Sequence, residues 1–139
     1  MAEKKETLFS RKLHDKLSPQ VYVEKTNNPW RAGIPDFYYE TAGNILWAEH
    51  KWMPKPWTKI VSCEDICKGS QWPRQRAWLN RAHGNQISTR VIVGVGEGRK
   101  TMGYLLCYPY SFDPSLDKLW NLKELARRIE ETLNYENFD

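Results

Sequence analysis

Apolar and polar positions along this 139-residue chain change their period several times, and each change marks an element. In "ETLFSRKLHDKL" (residues 6–17), Leu8, Phe9, Leu13 and Leu17 recur at helical spacing, and Ser18-Pro19 stops the run. "VYVEK" (21–25) alternates and is rich in β-branched residues, the mark of a strand. A loop, "NNPWRAG", leads to "DFYYE" and "NILWAEHKW", two strand-like runs split by Thr-Ala-Gly-Asn, whose Gly and Asn suit a tight turn. Residues 53–72 read as an irregular connection carrying Pro54, Pro56 and Gly69, and a loop that long in a compact domain usually has a function or moves. A second helix opens near Pro73 in "PRQRAWLNRAH" and stops at Gly84. "TRVIVGVG" is almost continuously apolar and predicts a buried central strand; "EGRK" turns the chain and "TMGYLLCYPY" returns it. From Leu116 to Asn134, Leu119, Leu122, Leu125, Ile129 and Leu133 lie on one stripe of a C-terminal amphipathic helix. The order α-β-β-β-α-β-β-α predicts an α/β fold, a sheet with helices packed on it.

The length fits one domain over residues 1–139, without internal repeats, and 40% hydrophobic residues suffice for a core without disulfides. No run approaches the roughly 18 apolar residues of a membrane span. The charged N-terminus lacks a secretory h-region, so a cytoplasmic protein with no membrane association is expected. Three cysteines are an odd number and too few for a disulfide framework. Cys63 and Cys67 have no following His-x(3–5)-His, which favours reduced structural thiols over a zinc site.

The net charge is only +4, but its distribution is uneven. Residues 1–50 balance at 7 basic and 7 acidic, 51–100 hold 10 against 3, and 101–139 hold 4 against 7. A basic block beside a neutral one points to a polyanion surface.

Candidate chemistry lies in "GIPDFYYETAGNILWAEHKW" (33–52). A hairpin of this length can set Asp36 and Glu49 side by side, and residues two apart on a strand, Glu49 and Lys51, share a face. Asp36, Glu49 and the backbone carbonyl of His50 then offer hard oxygen donors that suit Mg²⁺, with Mn²⁺ as its substitute. Lys51 would orient or deprotonate the attacking water, or stabilise charge on a phosphate. Gly33 permits a sharp turn, and Pro35 keeps Ile34 extended, so that Asp36 is delivered in a fixed direction. A Glu-x-Lys pair on a strand is also a common surface ion pair, so these three charges alone do not separate a metal site from solvated trim.

With Pro35-Asp36 … Glu49-His50-Lys51 on the elements just placed, the chain resembles the PD-(D/E)xK nuclease superfamily. More narrowly it is similar to its VRR-NUC and phage Holliday-junction-resolvase-like branch, over most of residues 6–95. The branch's first-helix acidic residue matches Glu6, its Gly-x-Pro-Asp matches Gly33 to Asp36, and its Glu-x-Lys matches Glu49 and Lys51. Its glutamine early in the next helix matches Gln75. The resemblance implies a restriction-endonuclease-like αβββαβ core, here with an extra C-terminal helix. It also implies divalent-metal dependence and DNA cleavage, with Glu6, Asp36 and Glu49 handling metal, Lys51 the nucleophile or transition state, and Gln75 organising the site. The branch usually has a hydrophobic residue between Glu and Lys; here it is His50, facing the core or reaching the phosphate.

Six of the seven tryptophans fall between residues 30 and 78; Trp47 and Trp78 fit core patterns. In "KWMPKPWTK", Lys55 and Lys59 alternate with Trp52 and Trp57, which either stack on bases of branched or partly single-stranded DNA or fold back on the loop itself. Arg74 and Arg76, on the helix of Gln75, are further candidates for DNA contact. His14 and His83 are expected at the surface, and "GVGEG" lacks the Lys-Ser/Thr of a nucleotide-binding loop. The expectation is a metal-dependent endonuclease selective for branched DNA, a homodimer if it makes paired cuts. A sequence-specific homing or restriction-type enzyme and a non-catalytic DNA-binding module of the same fold remain as alternatives.

Overall fold

In a computed structural model that describes residues 4–26, 33–66 and 72–135, the N-terminal stripe forms helix α1 (Lys5–His14). The three strand-like runs become β1 (Tyr22–Lys25), β2 (Phe37–Thr41) and β3 (Asn44–Met53), an antiparallel meander. Thr41 pairs with Asn44, leaving Ala42 and Gly43 as a two-residue turn with both φ angles positive. A short α2 (Cys63–Ile66) and then α3 (Trp72–Gly84) carry the chain over the sheet to β4 (Thr89–Glu97), which pairs parallel to β3. β5 (Lys100–Leu106) and β6 (Trp120–Asn121) extend the sheet antiparallel, and α4 (Leu122–Tyr135) closes the described chain. One six-stranded mixed sheet results, ordered β1-β2-β3-β4-β5-β6, with helices on both faces.

Strand alternation divides the core in two. Leu46 and Ala48 of β3 and Ile92 of β4 pack with Phe9 and Leu13 of α1 and Leu125, Ile129 and Leu133 of α4. Val91, Val93 and Val95 face the other way, onto Trp72 and Leu79 of α3. Covered on both sides, β4 is buried from Val91 to Val95, as its unbroken apolar run requires. Two cross-strand glycines, Gly94 and Gly103, let α1 approach: a Cβ on Gly94 would overlap the Phe9 ring, and one on Gly103 would lie 2.6 Å from Leu125. This seating fixes where the first turn of α1 can present Glu6.

The structure departs from the sequence reading in several places. Within 53–72, Val61 bridges Phe112 and α2 forms a turn of helix. The returning strand ends at Leu106, and Tyr110, with φ of 63°, is buried and hydrogen-bonded to Thr89. The C-terminal helix starts at Leu122, where Asn121 Oδ1 accepts from the Glu124 N–H at 2.8 Å and caps it. Leu116, where the amphipathic segment was expected to begin, is 79% exposed. Residues 27–32, with Trp30, where a loop was expected, and residues 67–71, with Cys67, lie outside the described residues. No helix among the described residues is long and apolar enough to cross a membrane.

Candidate active site: two carboxylates and a lysine where β2 begins

Gly33 has φ of 96°, and a Cβ there would stand 2.7 Å from the Arg74 carbonyl oxygen. Only glycine permits this packing of the Gly-Ile-Pro-Asp turn against the first turn of α3. The far side of the turn is tied to β1: Thr26 Oγ1 donates to the Pro35 carbonyl, and the Thr26 N–H to the Asp36 carbonyl at 2.9 Å. β2 begins pairing at Phe37, opposite Ala48, so β3 runs on past its neighbour. In that gap Asp36 Oδ2 accepts the His50 N–H at 3.0 Å. A strand residue sends its N–H and C=O through the same edge, which puts the His50 carbonyl on the Asp36 side of β3.

Glu49 and Lys51 share the α3 face of β3, as their spacing requires. Lys51 Nζ donates to Gln75 Oε1 at 3.1 Å and lies 5.7 Å from the centre of the Trp72 ring. Glu49 is 1% exposed, and neither of its carboxyl oxygens has a hydrogen-bond partner in the structure. Burial, followed by the adjoining Asp36 carboxyl, pushes Glu49 up to about 10 against the opposing pull of Lys51. Glu6, half-buried in the first turn of α1, is raised by burial and then by Asp36, with Lys51 again opposing. Asp36 therefore disfavours charge on both Glu49 and Glu6, and Lys51 opposes it at both.

Buried acceptors without donors call for a proton or a cation. Among the described residues, no group of three or more His, Cys, Asp or Glu closes into a metal cage. Asp36 and Glu49, with Glu6 acting on them through charge, instead form an open, oxygen-only set. Such a set fits Mg²⁺, which takes one or two carboxylates and completes its shell with water and phosphate oxygens.

His50 points to the opposite face and is buried. Its Nδ1 lies 2.7 Å from Ser10 Oγ and its Nε2 2.8 Å from the Tyr39 hydroxyl, which is 2.8 Å from His14 Nε2. Ser10 Oγ also bonds the Glu6 carbonyl oxygen at 3.1 Å. One histidine thus holds Asp36 through its backbone and, through Ser10, the turn of α1 that carries Glu6. Burial lowers His50 well below the ordinary histidine range and His14 to about 4, so both rings are neutral at pH 7.

No known family profile and no curated protein matches the chain. Among solved structures it is similar to Hjc, a Holliday junction resolvase from the archaeal hyperthermophile Archaeoglobus fulgidus. The match has a TM-score of 0.52 at 16% identity, over 89% of this chain and 97% of that one. The two chains share a fold.

On this fold the residues singled out in the sequence fall into two groups. Asp36, Glu49, Lys51 and Gln75 come together around one end of β3, with Glu6 acting on them from α1. The expected DNA contacts divide. Lys55, Lys59 and Arg74 are exposed, whereas Arg76 is ion-paired with Glu64 of α2. Trp57 is the fold-back case: half-buried, its ring stacks on Tyr104 at 5.3 Å and 9° and meets Phe112 at 5.1 Å. Trp47 and Trp78 are half-buried and pack on each other at 5.2 Å. His83 is exposed and stacked on Tyr108, as placed, but His14 is half-buried in the aromatic cluster of Phe37, Tyr39 and His50. Cys63 is buried and Cys107 exposed, both as free thiols.

Two features escaped the sequence. The Ser10–His50–Tyr39–His14 chain joins residues that no local pattern relates; the only signal was a histidine where an apolar residue is usual. The second is a groove of about 270 Å³ lined by Lys5, Arg99 and Lys100 with Trp52, and by no carboxylate. The basic "EGRK" turn was legible, but its meeting with α1 was not.

Proposed function

We propose that this chain is a divalent-metal-dependent DNA endonuclease acting on branched DNA, in the manner of a junction resolvase. The observation that carries the reading is Glu49, buried with orphaned oxygens, on one strand face with a lysine held by Gln75 and with Asp36 at the open strand edge. That donor set has no evident structural use, because an unpaired buried carboxyl costs stability. The resolvase-type fold supports the same conclusion.

Asp36, Glu49 and the His50 carbonyl would hold Mg²⁺ or Mn²⁺, with Glu6 adding negative charge. When bound, such an ion supplies positive charge at the scissile phosphate and acidifies water for attack on phosphorus. Gln75 fixes the direction of Lys51 by accepting a hydrogen bond from it, which leaves the ammonium to neutralise a phosphate oxygen or orient the attacking water. Trp72, beneath Lys51, limits the space in which that ammonium can move. Lys55, Lys59 and Arg74 on one side, and the groove of Lys5, Arg99 and Lys100 on another, would neutralise flanking phosphates. A homodimer would supply the two sites that symmetric cuts at a junction need.

The test is cleavage of labelled four-way junction, flap, duplex and single-stranded DNA with Mg²⁺ or EDTA, wild type beside Lys51→Ala. Mg²⁺-dependent cutting of the junction that Lys51→Ala abolishes, with DNA binding kept, supports the proposal. Salt-sensitive binding with no cutting in Mg²⁺ or Mn²⁺ would instead make the chain a binding module.

A further inference from the structure

On the outer side of α1, between that helix and the ends of β1 and β2, lies a groove of about 380 Å³. This falls within the roughly 300–1,000 Å³ of small-molecule sites. Glu6 and Asp36 form part of its wall, so whatever fills it lies against the carboxylates of the active site.

The charge of the lining argues against a backbone track. Glu6, Asp15 and Asp36 supply three carboxyl groups against two cations, Arg11 and Lys25. A string of phosphates would be repelled there, in contrast to the carboxylate-free groove of Lys5, Arg99 and Lys100. What the lining does offer is ring surface. His14 and Phe37 meet edge to face at 4.7 Å, and hydrogen bonds to Tyr39 and, through it, to His50 hold His14 in place. Rigid aromatic walls with a few donors and acceptors suit a neutral, flat, heteroaromatic group.

We infer that this groove receives the unstacked base of a nucleotide adjoining the scissile phosphate, so that the enzyme selects DNA in which that nucleotide is free to leave the helix. The inference rests on the endonuclease reading and adds the source of its structural selectivity. A base inside a duplex must give up stacking and pairing to enter, whereas one at a branch point has already given up much of both. Selection then needs no reading of sequence, because the difference in extrusion cost separates branched from continuous DNA. The phosphate of the extruded nucleotide stays at the Glu6 and Asp36 end, where a divalent ion held by the carboxylates would offset its charge.

The test uses four-way junction and matched duplex DNA carrying 2-aminopurine on either side of the cleaved bond, bound with Ca²⁺ in place of Mg²⁺. Thr7 lines the groove, is exposed on α1 and has no place in the catalytic set, so Thr7→Trp and Thr7→Ala should both fold. The expected result is a several-fold rise in fluorescence at one flanking position with wild type and Thr7→Ala, and little rise with Thr7→Trp. Thr7→Trp should also cut the junction at least about tenfold more slowly, with Thr7→Ala unaffected. No rise with wild type, or a Thr7→Trp enzyme that matches wild type in both assays, overturns the inference. Saturable binding of a free deoxynucleoside monophosphate without any change in the labelled DNA also overturns it, in favour of a small-ligand site. If wild type cuts junctions while the fluorescence stays flat, only the base pocket fails. If no DNA is cut under any condition, the endonuclease reading fails with it.

Discussion

Glu49→Gln should make the metal-free protein more stable at neutral pH while removing its response to metal. The folded protein holds the Glu49 carboxyl up to about 10, chiefly through burial and the neighbouring Asp36, whereas an unfolded chain titrates it near 4.5. Between those values the folded form carries a proton that the unfolded form has lost. Stability is therefore fullest below about 4.5 and falls as pH rises towards 10, by at most about 1.4 kcal/mol per pH unit for one proton. From pH 5.5 to 8 the loss reaches about 3 kcal/mol, and at roughly 3–5 °C per kcal/mol for a chain of this length it is read as a fall of about 10 °C in Tm. Glutamine keeps the shape, carries no charge at any of these pH values and can donate its amide to Asp36. Thermal melts in EDTA across this range should show a clear downward slope for wild type and a smaller one for Glu49→Gln. Added Mg²⁺ should stabilise wild type increasingly as pH rises, since it competes with that proton, and should do much less for the variant. Parallel Tm–pH curves for the two proteins, or equal stabilisation by Mg²⁺, would refute the reasoning.

Gln75→Ala removes the acceptor that directs Lys51, and cleavage should slow about tenfold with DNA affinity unchanged, as single-turnover rates and binding isotherms can show. Tyr39→Phe deletes the hydroxyl joining His14 to His50 and should cost about 1–3 kcal/mol, read from the urea midpoint at constant m-value. The DNA surface is testable by contrast. Arg99→Ala with Lys100→Ala should reduce the salt-dependence slope of DNA binding by about 2, whereas Trp57→Ala should lower stability by about 2–3 kcal/mol and leave that slope intact.

The residues of the candidate site were legible because their signals are local. Gly33 must turn with positive φ, Pro35 stiffens the step before Asp36, and the two-residue spacing of Glu49 and Lys51 commits both to one strand face. The central strand was legible for a similar reason: a run apolar at every position from Val91 to Val95 is tolerated only with both faces covered. Where elements end was less legible, since an end depends on what is nearby. β5 stops at Leu106 because Tyr110 turns inward to Thr89, and α4 starts at Leu122 because Asn121 is free to cap it.

By itself, then, the sequence determined the order of the longer elements, without α2 and β6, and the chemical types gathered on β3, since both follow from periodicity and from the φ, ψ preferences of a few residues. Tertiary structure decided everything that required two distant segments to meet. It set Gln75 against Lys51, folded Trp57 into a stack with Tyr104, and used His50 to tie Asp36 to the helix that carries Glu6. The physical reason is that pattern reports which face a side chain occupies, while burial, hydrogen-bond partner and acidity depend on what the opposing layer places against that face.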